Sequence, residues 1–426
     1  MKNSKFKTEY KLKQHTMLLH FQAKPSSGEN VCLRASEVKP KLDRFILKKL
    51  GEIKTVKEKY SSWIQAEHLN GNDVAFKYRM TIVRCSERMN IYETDHRTRR
   101  DRNNGVPGPN FVLPDIYYGN MGDGPQKYGV FFIDGLKIQI TCFIPDLKKF
   151  IEENIAEFFA VTNFGTMQNK GFGSFTIDRE YINYEDALVN KYTARICLKA
   201  TIQCSGESSR AQSNLFKMVK DIYSVMKSGQ NYGRFPYIRS CIYKYMHEEH
   251  QMGNEKAWMK RENIAPIRTT HKMPVDTPEP HEHFKVDSHK CYYVRALLGI
   301  GEHLEWYEPK NEEINGRSRK EKIEIKEVND EIKRVASPVF FKIVDNVIYI
   351  TADEPNLQIY NKEFSFRNKG YTKQRDGISP RLENEGYIST PDQGMNFSMK
   401  DFLKYFVTYY NNERGNRLTI IKELEV

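Results

Sequence analysis

The chain is predicted to be an α+β protein built from two similar units in tandem. Three observations lead to that class. The order strand, helix, strand, strand, helix, strand can be read in residues 1–190 and again in residues 191–426. In both units the helical stretches carry an apolar stripe and the strands alternate apolar with polar residues. The first unit also has a glycine-rich bend, Asn163 to Phe175 (NFGTMQNKGFGSF), between its second helix and its last strand. The six-element order is the split βαβ, or ferredoxin-like, arrangement used by many RNA-recognition domains. Identity between the halves is negligible, so the repetition is one of architecture.

In the first unit, Tyr10 to Gln22 reads as a strand entering the core, most apolar from Met17 to Phe21. A helix follows in CLRASEVKPKLDRFILKKLGEI, where Val38, Leu42, Phe45, Ile46 and Leu50 recur at helical spacing. Ser36 is its expected N-cap, Pro40 is placed in its first turn, and Gly51 ends it. Ala75 to Arg84 alternates as a strand. Residues from about 85 to 130 are expected to be an insertion without a regular element, as long loops with functional residues often are. Gly135 to Phe143 is the third strand. Pro145 then opens a helix with Leu147, Phe150, Ile151, Ile155, Phe158 and Phe159 on one stripe, and GSFTI after the bend is the fourth strand.

The second unit starts with a strand in Lys191 to Gln203 and a helix in Ser208 to Lys227, with Leu215, Val219, Ile222 and Met226 on one side. Insertions are expected at about 228–290 and 300–334, the second with a solvated excursion from Lys310 to Arg334, where eight basic and seven acidic residues nearly balance. Tyr292 to Leu298 reads as an apolar segment. Ser337 to Thr351 is expected to be a hairpin turning at Asp345–Asn346. Ser398 caps a last helix, and Arg417 to Leu424 closes the unit as a strand.

With 426 residues, 39% of them hydrophobic, the chain can bury a sizeable core in two domains. Lys and Arg number 67 against 55 Asp and Glu, a net charge of +12, which favours a polyanionic partner. The seven cysteines form no CxxC pair, which points to thiols in a reducing cytoplasm rather than a disulfide framework or a zinc ribbon. The N-terminal MKNSKFKTEYKLK lacks the apolar core of a signal peptide, and no run is long enough to span a bilayer. A cytoplasmic protein without a membrane partner is therefore expected.

Three stretches carry candidate chemistry. In the bend, Lys170, Gly171, Phe172 and Gly173 combine a cation with backbone that another molecule can approach, a combination suited to phosphate oxygens. At the start of the first helix, Arg34, Ser36, Lys39, Lys41 and Arg44 place cations where the helix dipole disfavours them, so phosphate binding is a candidate reason. In the insertion, Arg97, Arg99, Arg100 and Arg102 precede Tyr117, Tyr118 and Tyr128, which suits a nucleic-acid backbone with stacked bases.

These residues resemble the RAMP superfamily, the repeat-associated RNA-binding proteins of CRISPR effector complexes. KGFGSF is similar to the family's glycine loop. LRASEVKPKLDRF resembles its N-terminal helix motif, with Ser36, Lys39 and Arg44 in comparable places, although Pro40 stands where the motif has glycine. VRALLGIGE (Val294 to Glu302) and KRVASPVFFKIV (Lys333 to Val344) are similar to segments of the Cmr-type subunit with two RAMP domains. The resemblance implies a non-catalytic RNA-binding subunit of a type III effector in antiviral defence. Its implied partners are CRISPR guide RNA, target RNA and other effector subunits. The alternative is a metal-independent endoribonuclease that processes guide precursor RNA, with His15 or His20 as general acid or base. His247 with His250, and His281 with His283, lack a third ligand at motif spacing, so neither a metal nor another cofactor is expected.

Overall fold

The computed structural model describes residues 5–20, 33–68, 73–95, 97, 99–113, 128–202, 209–230, 238–259, 262, 289–301, 303–307, 320–371 and 384–425. The first half contains β1 (Lys7–Gln14), β2 (Leu18–His20), α1 (Ala35–Leu50), α2 (Ile53–Lys59), β3 (Arg79–Arg84), β4 (Met89–Glu93), α3 (Arg99–Asn103), β5 (Phe111–Val112), β6 (Tyr128–Phe132), β7 (Leu136–Thr141), α4 (Pro145–Ala160) and β8 (Phe175–Ile177). Its main sheet has the order β3-β7-β1-β8, with every neighbouring pair antiparallel. Successive side chains of a strand point to opposite faces. Leu12, Met80, Ile138 and Ile140 accordingly face inward, where Val38, Leu42 and Ile46 of α1 and Leu147, Ile151 and Ile155 of α4 meet them in one cluster.

The second half follows as α5 (Tyr184–Lys191), β9 (Ile196–Thr201), α6 (Ser209–Lys227), α7 (Cys241–His250), β10 (Gly253–Asn254), α8 (Glu255–Trp258), β11 (Cys291–Tyr292), β12 (His303–Tyr307), β13 (Lys320–Glu327), β14 (Val339–Val344), β15 (Val347–Ala352), β16 (Glu363–Tyr371), β17 (Asn384–Ser389), α9 (Met399–Arg414) and β18 (Thr419–Glu423). Its main sheet runs β14-β15-β9-β18. When the strands of each main sheet are taken in chain order, both sheets read fourth, first, third, second across the sheet. The architecture is thus α+β with the same path traced twice. Leu215, Val219, Ile222 and Met226 of α6 are buried on the second sheet's side, and the Ser398 hydroxyl caps α9 by accepting from the Asp401 amide. The β14–β15 hairpin turns at Asp345, as expected, with φ at 51°.

Several expectations are corrected. The first strand breaks after Gln14, and β2 joins a separate sheet of order β2-β6-β4-β5. The 85–130 stretch is therefore not without regular structure: β4, α3 and β5 lie in it, and β6 begins at its end. The stretch 300–334 contains β13, where Ile323 and Ile325 are buried and pair with β16 in the sheet β12-β13-β16-β17. Glu324 and Lys326 occupy the alternate positions, which is the pattern of a half-buried strand, and Glu327 shares the buried side. Val294–Leu298, within the apolar segment, is a buried 3-10 helix. Arg34, not Ser36, is the N-cap of α1, and it makes no side-chain capping bond. Pro40 lies beyond the first turn, so the Ser36 carbonyl has no N–H four residues on to accept from. The described cysteines form no disulfide, and no described helix is long and apolar enough to cross a membrane.

Candidate nucleic-acid interface

The glycine bend lies where the two halves meet. Of the bend, Gln168 and Asn169 border open space, whereas Asn163, Phe164 and Lys170 to Ser174 are buried and pack inward against β14. Three side chains dock it there. Asn163 Nδ2 donates to the Phe341 carbonyl (2.8 Å), Asn169 Nδ2 to that of Ser337 (3.1 Å) and Ser174 Oγ to that of Ile343 (2.6 Å). Phe172 stacks on Phe216 of α6 with centroids 3.9 Å apart, in the same apolar cluster as β9 and β15.

The expectation that Lys170, Gly171, Phe172 and Gly173 offer an open phosphate cradle is corrected by this packing. Their amides are committed inside the chain: Lys170 to the Met167 carbonyl (2.8 Å), Gly171 to that of Gln168 (3.2 Å) and Gly173 to that of Met17 (2.9 Å). Lys170 is only 7% exposed, its Nζ sits 3.0 Å from the centre of the Tyr223 ring, and burial pushes its ammonium well below the ordinary lysine value. The glycines serve fit. At φ 86° a Cβ on Gly171 would stand 2.6 Å from Ile343 Cδ1, and at φ 63° one on Gly173 would stand 2.0 Å from the Phe164 carbonyl oxygen.

A cation that sequence reasoning missed completes the junction. Lys342 of β14 is fully buried, and its Nζ donates to the carbonyls of Phe159 (2.7 Å), Thr162 (3.0 Å) and Phe175 (3.0 Å), with Asn163 Oδ1 at 3.3 Å. Those acceptors include the carboxyl end of α4, where carbonyls lack helical partners and the helix dipole is negative. Its sequence signal was a lysine at an inward position of an otherwise apolar strand, VFFKIV.

Beside this junction a cleft of about 570 Å³ opens between α1, the end of α4, the outer bend, α5 and β14. Among the described residues, Lys41, Arg44, Lys48, Lys49 and Lys191 line it, with Glu157 as the one carboxylate. Lys41, Arg44 and Lys48 fall three to four residues apart, so α1 presents them on one stripe. Lys41 reaches the bend, donating to the Asn163 carbonyl (3.1 Å) and Gln168 Oε1 (2.7 Å) while pairing with Glu37 (3.0 Å). Burial lowers its pKa, with Glu37 opposing that shift. Lys48 crosses to the Lys191 carbonyl (2.9 Å), and Lys49 pairs with Glu157 (2.6 Å). Lys191 Nζ bonds the Val161 carbonyl (2.6 Å), and burial pushes its ammonium down to about 8. Arg44 is exposed.

The other expected residues scatter. Arg34 and Ser36 are exposed at the start of α1. Lys39 lies on a different side of the helix, paired with Asp43 (2.7 Å) and 4.4 Å from the Tyr78 ring centre. Arg97 is bound up locally: it holds both oxygens of Asp95 (2.9 and 3.0 Å) and the Val106 carbonyl (3.0 Å). These bonds draw the Asp95 carboxyl down to about 2. Arg100 is exposed on α3. The Arg99 side chain, like Tyr117 and Tyr118, lies outside the described residues. Tyr128 is buried in β6, so the expectation that it stacks on a base is corrected.

His15 has partners that sequence reasoning did not find. Its Nε2 is 2.8 Å from Thr176 Oγ1, its Nδ1 is 3.1 Å from Asp345 Oδ1, and the Asp345 amide donates to that same Nδ1. It is buried between the halves, and burial lowers its pKa. His20 ends β2, and its side chain lies outside the described residues, as do His281 and His283. On α7, His247 Nδ1 is 3.3 Å from the Met252 carbonyl.

The fold and the cleft describe a two-part α+β protein with a cationic groove at its internal junction. Comparison with protein families gives the class. The Cmr1 N-terminal domain matches residues 5–230, and the Cmr1 C-terminal domain matches residues 237–425. The chain therefore belongs to the Cmr1 family, subunits of type III CRISPR effectors with two domains. No curated protein and no solved structure matches it. The family models divide at 230–237, whereas the strand path divides before β9, so α6 falls in the N-terminal match yet packs in the second half.

Proposed function

We propose that this chain is a non-catalytic RNA-binding subunit of its effector complex, and that the cleft at the junction receives the guide RNA or the guide–target duplex. In this reading each half is a ferredoxin-like RAMP unit, residues 1–190 and 191–426, and the first sheet of each is the frame. The supporting observation is the imbalance in the cleft: five cations against one carboxylate, and that carboxylate already paired with Lys49. A phosphate chain neutralises such an excess and releases counterions as it binds. The glycine bend contributes through its outer residues, Gln168 and Asn169, which border the cleft. Arg34 and Arg100 extend the same chemistry at the surface.

The ribonuclease alternative needs a histidine that substrate can reach. His15 is held inside by Thr176 and Asp345, which favours a structural role for it. The test is R44Q/K48Q in the full chain. Affinity for guide RNA is expected to fall about tenfold at physiological salt, and the salt slope to flatten by about 1.4, the effect of two phosphate contacts. Unchanged affinity with an intact fold removes the cleft from the interface.

A further inference from the structure

The first half's main sheet has one face covered by α1 and α4 and another that no described helix covers. On that open face the register sets like charges against one another. Lys11 of β1 lies directly opposite Lys137 of β7, and Lys7 and Arg79 flank Thr141 from either side. Like charges directly opposite destabilise a sheet, so Lys11 and Lys137 favour an anion beyond the long contacts that Asp178 and Glu9 make with them. The carboxylates nearby are loose partners: Glu9 is 3.4 Å from Lys7 and 4.0 Å from Lys137, and Asp178 is 3.9 Å from Lys11. The two cation pairs are four residues apart along β1, about 13 Å. At the Lys7 end the Phe143 side chain is 70% exposed, with its ring 5.3 Å from that of Phe6.

We propose that this open sheet face binds a single-stranded nucleic-acid segment, with phosphates on the Lys11–Lys137 and Lys7–Arg79 pairs and a base stacked on Phe143. Cations beside an exposed ring are the elements of single-strand binding, since every base has a face to stack while phosphates need only charge. An acidic protein segment would use the cations but not the ring. Thr81 and Gln139, side by side between the two pairs, add hydrogen-bonding groups at the level of sugars and base edges. The face is on the far side of the sheet from α1, and the proposal uses none of the cleft's residues. It rests on the reading of the chain as an RNA-contacting subunit only for the biological source of the strand.

The test uses the full chain with a fluorescent oligouridylate, an oligothymidylate of equal length, and polyglutamate as competitor. K11Q/K137Q is expected to weaken oligouridylate binding about tenfold at physiological salt and to flatten its salt slope by about 1.4. The melting temperature should hold or rise, because a repulsive pair is gone. F143A is expected to weaken binding without changing the slope. An equal loss for oligothymidylate supports the proposal and shows that the sugar is not read; a loss confined to oligouridylate supports it and identifies RNA. Affinity within about twofold of the parent for K11Q/K137Q overturns it, as does displacement by polyglutamate that depends on Lys11 and Lys137 while nucleic acid does not. R44Q/K48Q serves as the separate arm: loss there with none on the sheet leaves the cleft standing and removes the sheet, and the converse removes the cleft.

Discussion

Lys342→Met tests whether the two halves are fastened by a single buried ammonium. The side chain donates three hydrogen bonds of 3.0 Å or shorter, to Phe159, Thr162 and Phe175, all in the first half. Bonds to a charged donor contribute about 1.5–3 kcal/mol each, so the three amount to roughly 4–9 kcal/mol. Methionine returns part of that, because burial pushes the Lys342 ammonium well below the ordinary lysine value, a cost of several kcal/mol that a matched apolar chain does not incur. The net expectation is a loss of about 3 kcal/mol, with the Phe159 and Thr162 carbonyls at the end of α4 deprived of a donor. For a chain of 426 residues that corresponds to a fall of about 3 °C in melting temperature. Differential scanning calorimetry of the full chain, with limited proteolysis as a second readout, measures it. A K342M variant that melts within about 1 °C of the parent, or higher, refutes the reasoning, since desolvation would then outweigh the three bonds.

Two further outcomes follow from the same junction. Gly171→Val and Lys170→Glu should each lower the soluble yield and the melting point sharply, the first by placing a Cβ 2.6 Å from Ile343 Cδ1 at positive φ, the second by burying a carboxylate among apolar residues. Either variant folding normally while losing only RNA would return the inner bend to the binding surface. The pH dependence is set by lysines whose folded pKa values are depressed: Lys227 and Lys256 to about 7 and Lys191 to about 8, burial being the first cause in each case. Between those values and the ordinary lysine value of 10.5 the unfolded chain binds more protons, so stability rises with pH from about 7 toward 9. It also falls as pH drops below the ordinary histidine value of 6.5, because His15 stays neutral in the fold. A melting temperature that declines steadily from pH 7 to 9 contradicts this assignment, and K227M is expected to shrink the rise.

Much of the fold was legible because its main strands and helices are periodic. VFFKIV, VIYIT, DLKKFIEENIAEFFA and MKDFLKYFVTYY each announce a face, and each forms the expected element. The misses have identifiable causes. Counting charge in the 300–334 stretch hid the alternation in KEKIEIKE, where two isoleucines suffice to bury one side of β13. The strand read through to Gln22 was broken at His15 by contacts from Asp345, 330 residues away, which no local pattern reports. The candidate site was legible in part. Clustered cations on α1 were visible as a departure from dipole preference, but which of them share a face with Lys191 depends on how α5 docks. The bend misled because glycines chosen for close packing and glycines chosen for ligand approach look alike in sequence.

That ambiguity bears on how the cleft works. The bend faces two ways: Asn163 and Ser174 are fixed to β14, and Gln168 and Asn169 border the cleft, with Lys41 reaching across to both the Asn163 carbonyl and Gln168. A change in the packing between the halves therefore moves the cleft wall directly. Lys191 and Phe340 contribute the opposite wall from the second half, so the cationic groove exists only while the halves hold their relation. K342M should accordingly weaken RNA binding although Lys342 touches no solvent, and the loss should shrink on cooling, as the junction re-forms. A K342M variant that loses stability but binds RNA like the parent at every temperature would separate the junction from the interface and show that each half binds alone.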